Sequence, residues 1–244
     1  MTNTEKTAPF GPVANLITKL ILGSVAAAGV YFVSVGYLIA DPYTTDVGYR
    51  PEQPILYSHA LHAGQLGIDC RYCHSTVDQA GFAAVPSVQT CFNCHSPGSE
   101  NVGVGIRYTG SKKLDPLYEA YESGKPVPWV KVHDLPDYVY FNHAAHVNRG
   151  VGCSDCHGRV DHMGEEGVYQ FAPLSMSWCL ECHREPEKYL RPTYGNHGRE
   201  NAVVQMDYRD RNTPEQQLVI GKEMKAFYKI RSAQQLTDCS MCHR

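Results

Sequence analysis

A chain of 244 residues with 43% apolar side chains is long enough for one or two ordinary domains. A formal charge of −3, from 22 basic and 25 acidic residues, with no basic stripe, gives no footprint for nucleic acid. Fifteen prolines and 21 glycines predict a loop-rich chain, and the expected fold is mainly α with much irregular structure.

Residues 1–16 read as a cytoplasmic N-terminus and 17–40 as a single transmembrane anchor. Leu20 to Ala40 is 21 residues without a charge. As a helix it spans about 31 Å, close to the hydrocarbon thickness of a bilayer. Lys6 and Lys19 lie on its N-terminal side, which favours that side in the cytoplasm and the rest of the chain outside. A cleaved signal peptide is the competing reading. Its A-x-A-like site, Ala26-Ala27-Ala28, falls inside the apolar run, and the run exceeds a usual signal core. Gly23, Ala27, Gly29 and Gly36 are small enough for a partner helix to approach. Residues 41–56 read as an extended linker, because Pro42, Pro51 and Pro54 disfavour helix.

Residues 57–244 contain one motif five times. The copies are Cys70-Arg71-Tyr72-Cys73-His74, Cys91-Phe92-Asn93-Cys94-His95, Cys153-Ser154-Asp155-Cys156-His157, Cys179-Leu180-Glu181-Cys182-His183 and Cys239-Ser240-Met241-Cys242-His243. They use all ten cysteines. Each reads as the attachment site of one haem c, so five haems are expected. The two cysteines make thioethers to the porphyrin, and His74, His95, His157, His183 and His243 ligate the irons from the proximal side. Two Cys-x-x-Cys pairs can also make a zinc site, but five pairs cannot be matched in twos. Neither zinc, disulfides nor redox Cys-x-x-Cys chemistry needs a histidine after every second cysteine. Finding it five times by chance is on the order of one in a few million. Attachment of this chemistry occurs on the periplasmic side, in agreement with the anchor's orientation.

Tyr57-Ser58-His59-Ala60-Leu61-His62 precedes the first motif, and Phe141-Asn142-His143-Ala144-Ala145-His146 precedes the third. A second Cys-x-x-Cys-His follows each. The chain therefore contains a duplication: pair 1–2 in 57–95, a spacer over 96–140, pair 3–4 in 141–183, then a spacer helix and motif 5 in 184–244. Gly67, Gly150 and Gly152 supply turns before the cysteines. Residues 214–235 give the best soluble helix, with Pro214 at its first position and a rough apolar face from Leu218, Met224, Phe227, Tyr228 and Ile230.

A low-spin haem needs a sixth ligand, and seven further histidines are available: His59, His62, His133, His143, His146, His162 and His197. Histidines three apart share a face but reach different irons. This arrangement resembles class III multihaem cytochromes. By that resemblance His59 serves haem 1, His143 serves haem 3, and His62 and His146 serve two of the others. His133 is the expected fifth distal ligand. His162, His197, Met163 and Met176 are lesser candidates, a methionine being one that would raise a haem's potential.

Several longer stretches carry a further resemblance. They are Gly48 to Ile55 running into His62, Gly67 to His74, Val132 to His143, and Leu174 to Arg184. Together with the motif order they resemble the pentahaem cytochrome c subunit of alternative complex III, a bacterial quinol oxidoreductase, over roughly residues 12–244. Tyr57 stands where that family commonly has Phe, and Ser177 where it has Gly; neither is expected to touch a ligand. The resemblance implies electron relay from quinol, oxidised in integral-membrane partners, to a monohaem cytochrome c or terminal oxidase. It also implies a peripheral partner similar to iron–sulfur molybdoenzymes, and no substrate turnover in this chain. Two rivals remain. One is a quinol-dehydrogenase cytochrome feeding a periplasmic reductase, typically with four haems. The other is a multihaem reductase, which would need an open iron.

Overall fold

The computed structural model describes residues 11–40, 46–97, 111–193 and 202–243. His197, Lys6, the start of the linker at 41–45 and the spacer residues 98–110 lie outside the described residues. The chain divides into two units, one ending at Thr45 and one beginning at Asp46.

The first unit is the helix α1, Pro12–Ala40, 29 residues. It begins five residues before the expected anchor boundary, because Pro12 is tolerated in a first helical turn. Its length is about 43 Å. Leu20, Phe32, Val33 and Ile39 are exposed along it, and it is long and apolar enough to cross a membrane. Thr18 returns its hydroxyl to the Ala14 carbonyl at 2.9 Å, which hides a polar group in an apolar helix.

The second unit consists of short helices. In order they are α2 (Cys70–Cys73), α3 (Val88–His95), α4 (Asp115–Ser123), α5 (His143–Val147), α6 (Cys153–His157), α7 (Met176–Arg184), α8 (Pro214–Phe227), α9 (Ala233–Leu236) and α10 (Cys239–Cys242). A π-helical turn, Ala60–Gln65, precedes α2. Among the described residues there is no strand, only an antiparallel bridge between Val151 and Leu190.

Two small apolar clusters hold these pieces. In one, Ile55, Phe92 and Leu117 meet Val88, Tyr118 and Trp129. In the other, Leu190, Met224 and Tyr228 meet Val151, Ile220 and Ile230. The first cluster corrects the linker reading. Residues 46–56 are packed, with Ile55 buried, Gly48 and Tyr49 paired to Gln170, and the Gln53 amide paired to the backbone of Val130. It also gives the spacer a role: Tyr121 of α4 stacks on Phe92 of α3 at 4.0 Å, and the Tyr118 hydroxyl donates to the His95 carbonyl at 3.1 Å.

The expected helix 214–235 is shorter. Thr213 and Gln216 form a capping box and Pro214 occupies the first turn as expected. The helix stops at Phe227 because Lys229 adopts a left-handed φ of 52°. Its buried stripe is Gln217, Gly221 and Met224, continued by Tyr228, while Phe227 points outward. Gly221 is required: a Cβ there would lie 1.7 Å from the Glu187 carbonyl oxygen.

Candidate haem-binding sites

All five Cys-x-x-Cys motifs fall on short helices, which put the two cysteines on one face, three residues apart. Polar side chains cap three of these helices. Asp69 accepts from the Arg71 amide, Ser175 from that of Trp178 and Asp238 from that of Ser240. None of the ten cysteines is in a disulfide. Among the described residues no three His, Cys, Asp or Glu side chains converge as ligands of one ion.

The histidines are oriented by their Nδ1 atoms. His74 donates to the Ala84 carbonyl at 3.0 Å, His183 to Leu236 at 2.9 Å and His243 to Tyr138 at 3.0 Å. His62 donates to Ser58 and His146 to Asn142, both at 2.8 Å, and His143 to Gly81 at 3.1 Å. A carbonyl only accepts, so Nδ1 carries the proton and Nε2 keeps its lone pair for a metal. The buried imidazole nitrogens with no protein partner, His59 Nδ1 and His95 Nδ1, belong to the same set of histidines.

The aromatic residue before each His-x-x-His fixes both imidazoles. Tyr57 stacks on His62 at 4.4 Å and meets His59 edge-on at 4.7 Å. Phe141 stacks on His146 at 4.6 Å and meets His143 edge-on at 4.7 Å. This corrects the expectation that Tyr57 touches no candidate ligand. A Tyr fills the Phe role because the stacking uses the ring, not the hydroxyl.

Three ring pairs have the spacing of imidazoles on opposite sides of one iron. Metal–imidazole bonds of about 2.0–2.1 Å place two such ring centres roughly 6 Å apart. His62 and His95 are 6.2 Å apart, His146 and His183 6.2 Å, and His143 and His157 6.5 Å with rings only 10° from parallel. Burial keeps several of these rings neutral, the form that binds metal. It pushes His157 down to about 3, helped by His133, His143, His74 and His59. It pushes His59 down to about 4, helped by His74 and His62.

His133, the expected fifth distal ligand, lies beside the histidine of motif 3. Its Nε2 lies 3.3 Å from His157 Nδ1, with ring centres 4.4 Å apart. That leaves no room for an iron between them; the two rings meet edge-on. His162 is exposed, and its Nε2 already accepts from Arg159 at 2.9 Å. Met163 is buried, and Met176 is exposed.

Arg191 was not legible as a site residue. It is fully buried and bonds Asp155 at 2.8 Å and Ser154 at 3.0 Å, the two residues between the cysteines of motif 3. No local pattern announces it, because its partners lie more than thirty residues away.

The family model for cytochrome c552 matches residues 118–238. The chain is 37% identical over 108 residues to the multiheme cytochrome c subunit of menaquinone reductase from Nitratidesulfovibrio vulgaris, covering 44% of this chain and 47% of that protein. It is 38% identical over 63 residues to cytochrome c-552 of Porphyromonas gingivalis, covering 23% of this chain and 12% of that protein. The chain thus matches about half the length of the first relative and far less of the second.

The chain is a multihaem c-type cytochrome. Its cysteine pairs, each followed by a histidine, fit covalently bound haem c, and at His74, His183 and His243 the Nδ1 bond to a carbonyl leaves Nε2 for a metal.

Proposed function

We propose that this cytochrome binds five haems and relays electrons for a quinol-linked respiratory complex, held to the membrane by α1 with its haem unit on the periplasmic side. The observation that carries the relay reading is the pairing of imidazoles at 6.2–6.5 Å. Haem iron, once bound, supplies reversible one-electron chemistry. The protein's part is to hold iron between paired imidazoles, and at those three sites a haem so held would leave no open position for a substrate. His62 and His95 would hold the second haem, His146 and His183 the fourth, and His143 and His157 the third. His59, the duplicate of His143, would serve the first with His74. The fifth haem takes His243, whose ring neighbour is Tyr138. In this reading the chain passes electrons on and turns over no substrate of its own.

The donors and acceptors follow the resemblance to the alternative complex III subunit. Integral-membrane partners would oxidise quinol, a molybdoenzyme-like peripheral subunit would dock nearby, and a monohaem cytochrome c or terminal oxidase would accept the electrons. The relative named for menaquinone reductase favours a second reading, in which the same relay delivers electrons to quinone.

Three measurements test this. A pyridine-haemochrome assay on the purified protein should give five haems per chain; four or fewer removes a motif from the relay. His62→Ala and His146→Ala should each turn one haem high-spin, and unchanged low-spin spectra would overturn the pairing. In native membranes, quinol should reduce the cytochrome before added soluble cytochrome c is reduced. Oxidation of the reduced cytochrome by menaquinone alone would favour the second reading.

A further inference from the structure

We propose that the haem sites are arranged in space in the order 2–1–3–4–5, so that motifs 1 and 3 form the centre of the relay and motifs 2 and 5 its ends. The inference rests on the reading that each Cys-x-x-Cys-His carries a haem.

The junction between motifs 1 and 3 is an approximate two-fold axis. Ala60 and Ala144 follow the first histidine of each His-x-x-His. Ala80 and Met163 each lie ten residues beyond the first cysteine of motifs 1 and 3. The Ala144 amide donates to the Ala80 carbonyl at 3.1 Å, and the Ala60 amide donates to the Met163 carbonyl at 2.8 Å. Each copy therefore docks its histidine turn on the loop behind the other copy's motif, with equivalent residues in equivalent roles, as a two-fold interface requires. A second contact repeats this. Asn148 donates its side-chain amide to the Asp78 carbonyl at 2.7 Å. Its counterpart Gly64 packs so closely on the Asp161 carbonyl that a Cβ would lie 2.4 Å from that oxygen. Equivalent residues can touch each other only near the axis, and Cys70 and Cys153, the first cysteines of their motifs, are neighbours there. Haems 1 and 3 are thus the contact pair between the two copies.

The outer sites attach one to each side. Asn93 of motif 2 donates to the Tyr72 hydroxyl of motif 1 at 3.1 Å, and Cys73 neighbours Cys94 and Cys91. On the other side Cys156 of motif 3 neighbours Cys182 and Cys179 of motif 4. Motif 5 continues from motif 4: Cys179 neighbours Cys242, and His183 donates to Leu236, just before Cys239. The matching flank of motif 2 is covered by α4. Motif 5 thus extends one side of a symmetric four-site row.

The test uses the detergent-purified full-length holoprotein with a sub-stoichiometric pulse of reductant. Cys153→Ser with Cys156→Ser removes a central site. It should slow the redistribution of electrons among the remaining four sites by roughly tenfold or more relative to the variant Cys91→Ser with Cys94→Ser, which removes an end. Cys70→Ser with Cys73→Ser should behave like the motif 3 variant. Equal slowing by end and central deletions would overturn the order. If a variant does not fold, the iron positions in a cryo-EM map of the unaltered holoprotein decide the matter: any neighbour sequence other than 2–1–3–4–5 overturns the proposal. Haem counts are taken first, so a wild-type count below five signals failure of the five-haem reading rather than of the order.

Discussion

The turn of motif 1 is capped by its own neighbours, whereas the turn of motif 3 is held by an arginine from outside its repeat. In the first copy Asp69 caps α2 and pairs with Arg71 at 2.6 Å, both partly solvated. In the second copy the equivalent position is Gly152, which has no side chain to cap with. Its amide donates to Asp155 at 3.1 Å, and Asp155 is neutralised by Arg191 from beyond the repeat, with side chains 4% and 0% exposed. Arg191 also donates to the Gln205 carbonyl at 3.0 Å, and its own carbonyl accepts from Tyr228 at 3.1 Å. A Cβ on Gly152 would sit 2.1 Å from the Arg191 guanidinium carbon, so the missing side chain makes room for the arginine. One haem-binding turn can therefore be stabilised locally or through long-range polar links, and the two solutions differ in what a mutation costs.

The largest effect should come from breaking the long-range link. Arg191→Ala leaves the nearly buried Asp155 without its close cation, Arg209 being exposed and farther away at 3.5 Å. Removing one member of a buried pair costs about 3–5 kcal/mol. Arg71→Ala, on the solvated pair of the first copy, should cost about 0.2–1 kcal/mol. Denaturant unfolding of the two holoproteins, with haem counts, measures the contrast. Equal losses would mean that the copies are anchored alike.

A smaller contrast lies across the approximate two-fold axis. Gly64→Ala pushes a methyl against the Asp161 carbonyl, a backbone atom that cannot swing away, at about 1–3 kcal/mol. Asn148→Ala at the equivalent place removes only a partly exposed hydrogen bond, worth about 1 kcal/mol. A loss for Asn148→Ala equal to or greater than that for Gly64→Ala would show that the two docking contacts are not packed as described.

These contrasts also mark what the sequence carries locally. The five motif turns, the aromatic-x-His-x-x-His units and the Pro214 helix start are legible because each needs only neighbours within one or two turns. So is the apolar run that became α1. The docking of Ala60 on Met163 and of Ala144 on Ala80 joins residues far apart in the chain, and no periodicity encodes it. Arg191 looks like any surface arginine until Gly152 makes room for it. The stop after Phe227 depends on Lys229 adopting a left-handed conformation, which glycine or asparagine would have signalled and lysine does not. His133 carries a plausible ligand's chemistry, but its position against His157 is set by the tertiary fold.

The smallest effect tests whether the outer polar links of the second copy add measurably to its anchorage. Lys225 of α8 bonds Glu187, in the turn that follows motif 4, at 2.8 Å, with both side chains partly exposed. Lys225→Ala should cost about 0.2–1 kcal/mol at neutral pH. The hydrogen bond from Lys225 holds the Glu187 carboxyl below its ordinary value. A carboxyl lowered on folding stabilises the fold fully above its unfolded pKa of about 4.3, and that contribution is lost as pH falls through the lower folded value. The difference in unfolding free energy between the wild type and Lys225→Ala should therefore be constant near neutrality and shrink in acid. A difference that grows in acid would show that Lys225 acts through something other than the Glu187 charge. Its place in the second copy's anchorage would then have to be reassigned to packing of its methylene stem along α8.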